Sequence, residues 1–213
     1  VNIKILLDGI VRSGALSSAQ RDELLASMTD EVAALVLRDN IAQNLALSIE
    51  RAEAAAALGV HRRFLHYLEQ HGGLDRSLEA LPDDEELDQR AEAGRGLTSP
   101  ELAVLLAYAK NILAAQLLGT DLADPPWFDG LLRDAFPRPL VDRYGDRLAN
   151  HPLRREIIVT VLVNDLVNRG GATFAFRAQE ETGAGPAEIA RAYVAVREVF
   201  AVPAWWDEIE TLP

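Results

Sequence analysis

The stretch HPLRREIIVTVLVNDLVNRGGATFAFR, residues 151–177, decides the fold. Its Ile/Val run at 157–163 and the alternation of Phe174 with Phe176 are compatible with strands. Four polar residues argue for a helix: Glu156, Thr160, Asn164 and Asn168 recur every four positions, and that spacing returns nearly to one helical face. Pro152 ahead of the run and Gly170–Gly171 behind it mark a helix start and stop. One apolar helix with a polar row is therefore expected. Such a row can line an active site, meet a partner, or satisfy backbone groups inside a core.

Outward from this helix the same signals repeat. Ile3, Leu6, Leu7 and Ile10 follow a helical apolar spacing that stops near Gly14. Ser17 with Gln20 and Thr98 with Glu101 are spaced as capping boxes. Thr29 is expected to cap the long segment that follows, with Asp30 and Glu31 in its first turn. LPDDEELDQRAEAG carries Pro82 and four acids at one end and Gly94 at the other, a short helix with both termini marked. TDLADPPWFDG, broken by Pro125–Pro126, is the clearest loop. Ile189, Tyr193, Val196 and Phe200 form a last stripe. The fold class is all-α, a multi-helix, bundle-like domain without internal repeats.

Composition removes several kinds of chemistry. The 213 residues include no cysteine, which excludes disulfides, thiol nucleophiles and cysteine-ligated metals. Thirty-three acids against 21 bases give a net charge of −12, and only the pairs Arg62–Arg63 and Arg154–Arg155 approach a basic cluster. Nucleic-acid binding depends on neutralising phosphates, so no nucleic-acid partner is expected. LAVLLAYAKNILAAQLL, residues 102–118, is the best membrane candidate, but it is short for a bilayer and has Lys110 at its centre. A core helix and no membrane are expected. No segment has the layout of a signal peptide.

Candidate catalytic patterns also fail. His61, His66 and His71 are five apart, so their rings diverge and surface or interface positions are expected, not a metal site. Gly183 and Gly185 lack the strand and third glycine of a dinucleotide loop. The acids of DDEEL, residues 83–87, resemble the magnesium-diphosphate motif of all-α terpene synthases, and Asn164–Asp165 resemble the start of their second motif. That second motif then breaks, with Asn168 and Ala172 where a hydroxyl and an acid are needed. No GxSxG elbow is present.

Several longer stretches resemble one family, the large NAD-specific glutamate dehydrogenases of bacteria. They are VNIKILLDGIV, MTDEVAALVLRDN, LPDDEELDQRAEAGRGLTSPELAVLLAYAK, HPLRREII, VNRGGATFAFRAQEETGA and IARAYVAVREVF, and together they cover essentially the whole chain. The resemblance implies a parent several times longer that oxidatively deaminates L-glutamate to 2-oxoglutarate and ammonia with NAD. It also implies a bacterial, cytoplasmic enzyme of amino-acid catabolism, acting as a homo-oligomer.

The resemblance places the catalytic and NAD-binding residues upstream, so none is expected here. It makes residues 1–14 the end of the catalytic core and 15–213 a C-terminal helical domain. Val1 opens on a helix without a cap, which reads as a piece of a longer polypeptide. The expected role is non-catalytic packing on the catalytic domain of the same polypeptide, for assembly or regulation. A free-standing helical interaction module is the alternative, followed by a magnesium-diphosphate enzyme.

With the chemistry upstream, the row Glu156, Thr160, Asn164, Asn168 is expected to be buried and bonded to neighbouring helices, because an unpaired buried polar group costs ~1–3 kcal/mol. Ile3, Leu6, Leu7, Ile10 and the pair Trp205–Trp206 are the candidate interface with the catalytic domain.

Overall fold

A computed structural model describes residues 1–211. These form twelve α-helices and one 3-10 turn: α1 (Asn2–Arg12), α2 (Ser18–Ser27), α3 (Thr29–Glu53), α4 (Leu58–His71), α5 (Asp84–Glu92), α6 (Ser99–Leu118), the turn Pro126–Phe128, α7 (Asp129–Asp134), α8 (Arg138–Leu148), α9 (Arg154–Gly170), α10 (Phe174–Thr182), α11 (Pro186–Val199) and α12 (Val202–Glu210). No strand occurs among the described residues, and the all-α reading holds.

The deciding stretch is a helix because burial outvotes propensity. β-Branched residues lose rotamer freedom in a helix. Here, however, Ile157, Ile158, Val159, Leu162, Val163, Leu166 and Val167 are all buried at helical spacing. α9 ends where Gly171 adopts φ +92°, and an added Cβ there would also lie 2.9 Å from Glu50 Oε1. Both the backbone and the space demand glycine.

α9 packs on α6, and this pair is the centre of the molecule. α6 supplies Leu102, Leu105, Leu106, Ala109, Leu113 and Leu117 to the core. By length and hydropathy it could cross a bilayer, yet here it is a core helix, as expected. Its Lys110 amine is pushed below its ordinary pKa by burial, despite nearby Asp39, and it bonds Gln43 Oε1 at 3.1 Å. α3 lies against both α6 and α9, α7 against α9, and α11 against both.

The capping boxes form as read. Ser17 Oγ accepts from Gln20 N at 3.2 Å, and Glu101 accepts from Thr98 N at 2.6 Å. Thr29 does not cap α3. Its hydroxyl donates to Ala26 O at 3.0 Å, because α2 runs almost directly into α3 and leaves a carbonyl within reach. α9 begins two residues after Pro152, and His151 fixes the turn that leads into it: Nδ1 accepts from Leu153 N at 3.0 Å. That leaves the proton on Nε2, which donates to Asn2 O at 3.1 Å and ties α1 to the start of α9.

This tie corrects one expectation. Leu6, Leu7 and Ile10 are buried and Ile3 packs against them, so the α1 stripe belongs to the domain's own core. The two tryptophans divide: Trp206 is half-buried beneath the Arg169 guanidinium, 5.2 Å from its ring centre, while Trp205 is exposed.

Candidate functional site: a groove along α9

The polar row opens onto the best-formed cavity, a groove of about 580 Å³ with α9 as its floor. α3 forms one wall with Leu35 and Arg38, α7 contributes Leu131 and Asp134, and α11 and α12 close the far side with Tyr193, Arg197 and Trp206. Glu156, Thr160, Asn164 and Asn168 all line it.

The row is wetter than expected. Glu156 and Thr160 are exposed, and Asn164 and Asn168 are half-buried. The α9 surface faces a cleft instead of a packed neighbour, so bonds across to other helices do not form. Thr160 Oγ1 donates to Glu156 O one turn back, at 2.7 Å. The Asn164 side chain makes no hydrogen bond among the described residues, and Asn168 Oδ1 is buried without a partner.

The charged groups beside the row satisfy one another. Asp165 accepts from Tyr193 Oη at 2.9 Å and from Arg197 Nη1 at 3.1 Å. Burial, with the Asp165 charge and hydrogen bond, raises the Tyr193 phenol above its ordinary pKa, so it stays protonated as a donor. The groove thus presents oxygen acceptors beside an Asp165–Tyr193–Arg197 cluster whose members satisfy one another.

Replacing Asn164 by Leu should change the stability of this chain by no more than about 0.5 kcal/mol, since no bond is lost and the side chain is half in water. A urea unfolding curve tests this. A loss above 1 kcal/mol would reveal a buried partner.

A second cluster joins α3 to the turn after α9. Glu50 Oε1 accepts from Ala172 N at 2.7 Å, and its Oε2 lies 3.4 Å from His61 Nε2. Burial pushes the Glu50 carboxyl up, but the His61 and Ala172 bonds and the charges of His61 and Arg177 together hold it below its ordinary pKa. His61 is fully buried, which corrects the surface assignment; Glu50, 11 positions earlier, makes that burial tolerable. His66 pairs with Asp84 at 3.2 Å, and His71 packs tilted against Tyr67, their ring centres 4.8 Å apart.

The terpene-synthase likeness dissolves in the structure. Asp83 caps α5 by accepting from Glu86 N at 2.8 Å, Asp84 bonds Arg76, and Glu86 bonds Arg90. Asp83 and Glu86 line one cleft, whereas Asn164 and Asp165 line the α9 groove. Among the described residues no three His, Asp or Glu side chains are grouped to hold a metal. Nor do the two glycines fit a dinucleotide. Gly183 is the left-handed end of α10, and Gly185 starts α11 with its N–H on Glu188 Oε2 at 2.8 Å.

With the geometry in place, comparison with known proteins is decisive. The family profile described as "Glutamate dehydrogenase, C-terminal" matches residues 94–213. The chain belongs to the glutamate dehydrogenase family. A second profile, "Bacterial NAD-glutamate dehydrogenase, catalytic domain", matches residues 1–50, which takes in α1, α2 and most of α3. The NAD-specific glutamate dehydrogenase of Halomonas elongata is 46% identical over 212 residues, and that of Mycobacterium tuberculosis 46% over 209. The enzyme of Pseudomonas aeruginosa is 45% identical over 212. These alignments cover 98–100% of the chain but 13% of each relative. The chain is therefore similar to a small part of a large glutamate dehydrogenase.

The groove lies on the seam between the two matched parts, with α3 on one side and α9 on the other. Sequence reasoning found α9's row but missed α3. This helix has a single buried residue, Ala46, among 25. Val36, Leu37, Ile41 and Ile49 are between 48 and 60% exposed. The signal was available: apolar residues all round a helix indicate cover on more than one side. On the same helix Asn40 and Asn44 donate back to the carbonyls of Val36 (3.2 Å) and Asn40 (2.9 Å), and Ser48 to that of Asn44 (2.9 Å).

Proposed function

We propose that this chain is a non-catalytic helical portion of an NAD-dependent glutamate dehydrogenase and packs on the catalytic core of the same polypeptide. The parent reaction is oxidation of L-glutamate to 2-oxoglutarate and ammonia with NAD as hydride acceptor, in the bacterial cytoplasm and within a homo-oligomer. The division of labour would place chemistry in the rest of the polypeptide and assembly or regulation here.

The observation that carries this reading is α3. A helix with one buried residue in 25 and four large apolar side chains in water is stable in a folded protein when something covers it. The catalytic-domain profile ends within this helix, at residue 50, which supports a catalytic-domain element as its cover. This role moves from the α1 stripe to the outer face of α3, with exposed Trp205 as a second contact.

The purified chain alone is expected to form no NADH from glutamate and NAD. Residues here contribute helix caps, not a dinucleotide cradle, and hydride transfer requires the cofactor to be held against the substrate. Turnover by the chain, free of contaminating enzyme, would defeat the proposal. In the full polypeptide, Leu37→Asp with Ile41→Asp should reduce assembled, active enzyme at least tenfold by putting two charges into a buried contact. Full activity and an unchanged elution volume would show that α3 faces solvent in the parent.

A further inference from the structure

We propose that the α9 groove seats an extended segment from the remainder of the dehydrogenase polypeptide, held through its backbone N–H groups by Glu156, Thr160 and Asn164. The inference rests on the reading above, that this chain packs against the rest of the enzyme, and it assigns the α9 groove a specific occupant.

Three observations favour a backbone over an anionic small molecule. First, the row offers acceptors in series. Glu156 presents a carboxylate without a partner among the described residues. Thr160 has spent its proton on Glu156 O, so its lone pairs face the groove. Asn164 has an amide that makes no bond. A surface of this kind asks for N–H donors. Second, the cations that would recognise an anionic ligand are engaged: Arg197 with Asp165, Arg38 with Asp39 at 3.4 Å, and Arg169 against the Trp206 ring.

Third, the period fits. Four helical residues advance ~6 Å along α9. On one edge of an extended chain, N–H groups recur every two residues, ~6.7 Å apart. The two repeats differ by less than about 1 Å per step, so three successive acceptors can meet three alternate N–H groups. Asn168, whose Oδ1 is turned inward, closes the far end of the row. From Glu156 to Asn168 the floor measures ~18 Å, the length of about five or six extended residues. Asn164 can add a second bond, its amide N–H to a backbone carbonyl of the segment.

The source of the segment follows from the seam. One wall of the groove is α3, which matches the catalytic-domain profile, and most of each relative's length lies outside the 13% matched here. A strand or loop leaving the face covered by α3 would enter this groove directly.

The test uses the full-length dehydrogenase with the photocrosslinker p-benzoylphenylalanine at position 160, and in a second protein at position 37 on α3. The expected result at 160 is a crosslink to a segment of the same polypeptide outside these 213 residues. In that segment alternate backbone amides should exchange slowly. Asn164→Leu should speed their exchange roughly fivefold, the loss of about one hydrogen bond, without altering the circular dichroism. The proposal is overturned by crosslinks from 160 only to residues within this chain or to another subunit. It is equally overturned by a partner segment protected at every amide, as in a helix, or by no crosslink. Position 37 separates the two readings. A crosslink from 37 to the catalytic domain with none from 160 defeats only the groove's occupant; silence at both defeats the packing proposal as well.

Discussion

Replacing Gly96 by alanine is expected to destabilise this chain by about 3 kcal/mol or more. A Cβ at this position would lie 2.1 Å from Ala54 C, 2.2 Å from Ala54 O and 2.5 Å from Ala55 N. All three are backbone atoms, so no rotamer change relieves the clash. The loop before α6 would have to lift off the end of α3. Lifting it would disturb the bonds from Arg90 Nη1 to Gly96 O (3.5 Å) and from Arg51 Nη1 to Leu97 O (3.4 Å). Gly94→Ala provides the comparison. It has open space around its Cβ but φ +63°, so only the left-handed backbone is strained, at a cost of about 1–2 kcal/mol. Thermal melts of the two variants should therefore separate clearly. A Gly96→Ala melt equal to that of Gly94→Ala would mean that the loop does not sit on α3.

Arg90→Met should have the next largest effect, a loss of about 3 kcal/mol. Arg90 grips Glu101 with two bonds, Nη1–Oε2 at 2.7 Å and Nη2–Oε1 at 2.8 Å, and holds Glu86 Oε1 with Nη2 at 2.6 Å. The Arg90 and Glu101 side chains are only 14% and 11% exposed, so removing the guanidinium strands a carboxylate largely out of water. Glu101→Gln should cost less, about 1–2 kcal/mol, because a neutral amide oxygen can still cap Thr98 N.

The same pair predicts acid sensitivity. Burial raises the Glu101 carboxyl, but the Arg90 and Thr98 bonds and the Arg90 charge outweigh it and set the pKa below the ordinary 4.5. A carboxyl depressed on folding contributes stability that is complete above its unfolded value and is lost as pH falls through its folded value. Glu50 behaves in the same way. Stability should therefore decline below about pH 4.5, and Arg90→Met should decline less steeply because Glu101 has then lost its anchor. Urea midpoints between pH 3 and 7 measure both slopes; a steeper decline in the variant would contradict the assignment.

How much of this was legible in the sequence depended on range. The capping boxes at Ser17 and Thr98 and the helical nature of residues 157–163 were read correctly, because each depends on neighbours within a turn or two. Long-range partners were not legible. Asn2 and His151 are 149 residues apart, and Glu50 and Ala172 are 122 apart. Nothing local to α1 said that His151 would hold it down, so its apolar stripe looked like surface waiting for a partner. The row on α9 was visible as a row, but whether it faced a helix or a cleft depended on where α3, α7 and α11 settled. α3's apolar residues on all sides were legible as well, but not which of them the other helices would leave exposed.

The back-bonded side chains of α3 carry a consequence for calorimetry. Asn40, Asn44 and Ser48 have each turned one donor back to their own helix, so covering this face strips fewer polar groups of water than its composition suggests. Association there should show a pronounced negative heat-capacity change and only weak dependence on ionic strength. A net charge of −12 would instead make contacts elsewhere on this chain sensitive to salt. Titration calorimetry between the chain and the rest of the enzyme, at several temperatures and salt concentrations, would distinguish carbon-driven from charge-driven union without any variant.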